Sequence, residues 1–65
     1  MPDYSDRKIW TSEWSVYRPY HLKGQNHMTR FGTVKADYIE DARIKAMKKF
    51  KRKTIWVVFN NFVKR

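Results

Sequence analysis

"KAMKKFKRKTIWVVFNNFVKR", residues 45–65, decides the fold. It changes character in the middle. Up to Phe50 it continues a helical pattern in which Ile39, Ala42, Ala46 and Phe50 recur on one side, with Met47 beside them. After the basic connection Lys51-Arg52-Lys53 come Ile55-Trp56-Val57-Val58-Phe59, whose β-branched and aromatic content argues for a strand from about Thr54 to Val63. That strand is apolar at odd and even positions alike. A small domain with one helix has one sheet face to bury, so the second apolar face needs its own explanation.

Working outward, Asp37 followed three residues later by Glu40 reads as the N-cap and capping box of a helix over Tyr38–Phe50. Asp41 and Lys45 stand at pairing distance along it. Ala42 and Ala46 are small enough to let the helix lie close to a sheet. Upstream, residues 8–17 alternate, with Trp10, Trp14 and Val16 on one face, and read as a strand ending near Pro19. Residues 19–27 read as a loop, and 28–36 as a second, antiparallel strand. Gly32 marks either a bulge in it or room for a facing tryptophan. Asn60-Asn61 reads as a turn or bulge. Residues 1–6 read as a flexible tail ahead of a single domain over 7–65.

The expected fold class is therefore α+β: a three-stranded antiparallel sheet with one helix packed on one face, in the order β-β-α-β. The helix should cover Trp14, Val16, Val34, Ala36, Ile55, Val57 and Phe59. Tyr17, Phe31, Trp56, Val58 and Phe62 should then occupy the open face. A second copy of the chain, a partner protein or nucleic acid could cover it, and these aromatics could equally be ordinary core folded round the sheet edges.

Charge narrows the function. Residues 1–41 hold all six acidic side chains against six basic ones, and residues 42–65 hold nine basic side chains and no acid. The entire net charge of +9 thus lies in the last 24 residues. A field of one sign favours an anionic partner over mere solubility. Lys45, Lys48, Lys49, Lys51, Arg52 and Lys53 fill six of nine consecutive positions and, with Lys64 and Arg65, are the candidate phosphate-binding residues. Tyr17, Phe31, Trp56 and Phe62 are the candidate stacking platform or interface. The expected partners are nucleic acid, DNA or RNA, with a host protein complex or a homodimer as alternatives.

Other classes fit poorly. The chain has no cysteine, and its two histidines, His21 and His27, lack metal-ligand spacing, so no cofactor or metal is expected. It has no glycine-rich phosphate loop, and nothing gathers Glu13 and the histidines into a catalytic group, so neither an enzyme nor a small-molecule substrate is expected. No stretch approaches the roughly 20 apolar residues of a membrane span. Without an apolar leader the expected location is the cytoplasm, that of the host cell if the protein is viral.

The stretch Thr33–Ala42, TVKADYIEDA, followed by a helix and one more strand, resembles the small epsilon subunit of Gram-positive RNA polymerases and short phage proteins that bind host RNA polymerase. The resemblance runs from Thr29 to Asn60. It implies a non-enzymatic accessory factor, a regulator or inhibitor of the host-takeover kind, that binds a protein machine. It carries over no functional residue, and the strong positive charge departs from the acidic character of a DNA mimic.

Overall fold

The computed structural model describes residues 3–65. Four elements follow in the order β1 (Trp10–Leu22), β2 (Gln25–Ala36), α1 (Ile39–Phe50) and β3 (Trp56–Lys64). The strands form one antiparallel sheet in the order β2-β1-β3, and the class is the expected α+β.

The first hairpin is longer than its composition suggests. The segment read as a loop is mostly strand, because the turn takes only Lys23 and Gly24, both at positive φ (54° and 76°). Two consecutive positive φ values are the pattern of a tight turn whose twist suits a hairpin. Pro19 sits inside β1, opposite Met28. It is tolerated because pairing with β3 begins only at Tyr17, leaving β1 beyond that point with one neighbour. The hairpin past Tyr17 is thus a two-stranded arm. Its five further residues per strand project about 17 Å at ~3.4 Å each, and the molecule measures 45 × 25 × 15 Å.

The core is small: Val16, Val34, Ala36, Ala42, Ala46, Ile55 and Val57, with Trp14, Phe31 and Phe50 packed against it. Val16 of the central strand is fully buried. Ala42 and Ala46 are also 0% exposed, so the helix does lie close on the sheet. A core of valines and alanines supplies little burial, and a chain of this size is marginal in stability.

The helix starts differently from expectation. Tyr38 is the N-cap residue and makes no side-chain cap. Asp37 has other partners: its Oδ1 accepts from Thr11 Oγ1 at 2.7 Å and from Arg65 Nη2 at 2.7 Å. Lys45 does not turn to Asp41; its Nζ donates to the Lys35 carbonyl at 2.8 Å, and Lys49 Nζ donates to the Thr33 carbonyl at 3.2 Å. The helix ends on Lys51 in the left-handed conformation, φ 54°.

Two bulges change which face the later aromatics occupy. Between Val16 and Tyr17 the pairing jumps from Gly32 to Arg30, so Phe31 is an extra residue in β2. Between Glu13 and Trp14 it jumps from Asn61 to Phe59, so Asn60 is extra in β3. Asn60 Nδ2 donates to Glu13 Oε1 at 2.8 Å. Gly32 therefore marks a bulge, and the ring nearest it belongs to Phe50 rather than a tryptophan.

Candidate nucleic-acid interface

A bulge inverts the alternation beyond it, because side chains point to opposite faces with period two. This corrects half of the expected aromatic platform. Phe31 packs against Phe50, centroids 5.5 Å apart, beside the core. Phe62, paired with Ser12, joins Phe59 at 5.1 Å and stacks on Tyr4 at 4.8 Å. Tyr4 also meets Trp10 edge-on at 4.9 Å, and Phe59 meets Trp14 at 5.7 Å. Five rings, Trp10, Tyr4, Phe62, Phe59 and Trp14, thus form one chain of contacts along the start of β1 and the end of β3. The segment read as a free tail is tied down from Tyr4, while Met1 and Pro2 lie outside the described residues. Tyr17 and Trp56 remain on the open face, paired with each other, and Trp56 is 57% exposed.

The eight candidate basic residues do not form one patch. Lys64 and Arg65 lie at the far end of β3, nearly the strand's full length from Lys53. Arg65 is committed there: its guanidinium donates to Asp37 and to the Arg7 and Trp10 carbonyls, and its backbone N–H to Ile9. Lys64 stands over the Trp10 ring. Lys45 and Lys49 are engaged with the outer carbonyls of β2. Lys48 is exposed on the helix. Lys51, Arg52 and Lys53 follow the helix at the root of the arm, all exposed, with Arg52 over the Phe31 ring at 5.6 Å.

Folding adds to that last cluster three residues that position in the chain had set apart. Arg18 and Lys23 are exposed on the arm, and Arg30 is exposed at its root, opposite Tyr17. No acidic residue occurs in 14–36 or 42–65, so this end of the molecule is cationic throughout. The opposite end carries Asp3, Asp6, Glu13, Asp37, Glu40 and Asp41, mixed with Arg7, Lys8, Lys64 and Arg65. The Asp37 carboxyl is held below its ordinary value of 3.8, first by the Thr11 hydroxyl and then by Arg65. The charge of the arm was legible only as scattered residues; the missing signal was the depth of the hairpin.

Among the described residues no group of His, Asp and Glu is arranged to hold a metal ion, and no helix is long and apolar enough to cross a membrane. Comparison of the chain with protein families, with curated proteins and with solved structures gave no match.

Proposed function

We propose that this protein is a small non-enzymatic module that binds nucleic acid by its cationic end. The carrying observation is that Arg18 and Lys23 on the arm and Arg30, Lys51, Arg52 and Lys53 at its root share one end of the molecule, spread over both faces of the sheet, with no carboxylate among them. Ammonium and guanidinium groups at this density neutralise phosphates and release counterions. Affinity then falls with a slope of about −0.9 in log salt per phosphate held on B-DNA. Such contacts fix the backbone and carry no sequence information.

The test is titration of labelled DNA and RNA at several salt concentrations with the protein and with its Lys51→Glu/Arg52→Glu/Lys53→Glu variant. The variant should bind more than about tenfold less tightly at moderate salt, with a slope shallower by about three. Unchanged affinity and slope would sink the reading.

A second reading, a small regulator of a host protein complex such as RNA polymerase, draws on exposed Trp56 beside the outer edge of β3, a strand with one neighbour in the sheet. A pull-down that loses every protein after nuclease treatment counts against it.

A further inference from the structure

The open face of the sheet holds one row to which all three strands contribute. Tyr17 of β1 is opposite Arg30 of β2 and Trp56 of β3. Residues directly opposite share a face. The next rung toward the turn is Pro19 opposite Met28, and the one after is His21 opposite Asn26. The rung behind is Thr33, Ser15 and Val58. Ser15 is buried although no helix covers it. The surface is therefore a flat apolar strip, with Trp56, Val58 and Met28 each about half exposed.

Beyond Trp56 the strip dips into a groove of about 450 Å³ lined by Pro19, Tyr20, Asn26, His27 and Met28. That is within the roughly 300–1,000 Å³ of clefts that hold small-molecule ligands. The rings of Tyr20 and His27, stacked at 5.2 Å, belong to the intervening rung and point to the opposite side of the arm.

We propose that this face binds single-stranded nucleic acid. Trp56 and Tyr17 take the faces of unpaired bases, Arg30 holds the phosphate beside them, and the groove receives a further base with Asn26 and His21 at its edge. The inference deepens the proposed function and rests on it. Charge argues for this occupant over an apolar one: Arg30 stands in the aromatic row itself, and the carboxylate on this face, Glu13, lies two rungs behind Tyr17 and accepts a hydrogen bond from Asn60. Strandedness follows from the aromatics. Bases in a duplex are stacked on one another and offer no face to Trp56, whereas an unpaired base does. Phosphate contacts alone would serve either form.

The experiment compares a short single-stranded DNA, the same sequence as RNA, and the matching duplex, titrated into the full chain and into Trp56→Ala, Trp56→Phe and Arg30→Ala. Circular dichroism verifies folding of each. Trp56→Ala should lose roughly five- to one-hundred-fold in single-strand affinity and leave duplex affinity unchanged. Trp56→Phe should retain most of the single-strand affinity. Binding should quench the fluorescence of the wild type and not that of Trp56→Ala. If Trp56→Ala and Arg30→Ala bind single strands as the wild type does, while reversal at Lys51–Lys53 abolishes binding, this inference falls and the phosphate reading stands. Absence of salt-sensitive binding to either form overturns both. A wild-type dimer that Trp56→Ala converts to a monomer, with nucleic-acid affinity unaltered, assigns the face to a second copy and overturns it as well.

Discussion

The two ends of the long axis are built from the same materials to different effect. At the mixed-charge end, Asp37, Arg65 and the rings near the start of β1 have partners. Asp37 is satisfied by Thr11 and Arg65, Arg65 closes on Arg7 and Trp10, and rings from Tyr4 to Trp14 support one another. At the arm, cations stand without carboxylates, the sheet thins to two strands, and aromatic and apolar side chains face outward. Two-stranded ribbons are marginal on their own. Holding an exposed arm in shape therefore falls to the covered part of the sheet, and the cationic end can be altered with little effect on folding. Substitutions at one end should report on stability, and those at the other on binding.

The largest effect tests the shared foundation. Val16→Ala removes the fully buried side chain where β1, β2 and β3 meet, and should cost about 2–3 kcal/mol by chemical denaturation. For a domain this small that is a large part of its stability. Next comes the arm's root. Gly32 has φ 156°, and a Cβ there would meet Phe50 Cζ at 3.4 Å, so Gly32→Ala should destabilise by about 1–2 kcal/mol. Loss of the bulge would also turn Arg30 off the open face, so single-strand affinity should fall with it.

A gain of stability without loss of a contact sharpens the contrast from the other side. Lys23 and Lys51 both hold left-handed backbone, φ 54° each, that glycine or asparagine adopts more readily. Lys51→Gly and Lys23→Asn should each raise stability by about 0.5–1 kcal/mol, measured by thermal melting. The same changes should lower affinity for nucleic acid, since each removes one cation from the arm end. For either lysine, a substitution that raises both, or lowers both, would contradict the division between the two ends.

The smallest effect is acid sensitivity. Asp37 is depressed in the folded state by Thr11 and Arg65. Its contribution is therefore complete above the ordinary carboxylate value of 3.8 and is lost as pH falls through the lower folded value. Asp37→Asn should be slightly less stable at neutral pH and should flatten the decline of melting temperature below about pH 4. Asp3, also depressed by hydrogen bonds from Ser5, will leave some acid dependence in the variant.

The helix and the covered face were legible because periodicity carries them; the strand order was not, since periodicity does not say which strand is central. Ala42, Ala46 and Phe50 mark one side of a helix, and Trp14, Val16, Val34 and Ala36 mark one side of a sheet. What failed was parity beyond an inserted residue. Phe31 and Phe62 were assigned to the open face by counting in twos, and one extra residue in each strand sends them elsewhere. Arg30 was overlooked for the same reason, since only the bulge aligns it with Tyr17. Asp37 has the right identity for a cap, but Arg65, distant in sequence, competes for it. The arm was hidden by Pro19, Gly24 and Asn26, residues that usually announce a loop. Gly32 and Asn60-Asn61 signalled the two bulges locally but not which residue is inserted, and the contacts of Asp37 and Tyr4 are tertiary events with no local signature.

The lysines on the flank of the helix have one more consequence. An edge strand with free carbonyls is a template on which another chain can add itself, the first step toward fibrils. Lys45 and Lys49 place ammonium groups on two such carbonyls of β2, at Lys35 and Thr33. Acetylation of these two amines would strip the positive charge from that margin, and with it the obstacle to edgewise growth.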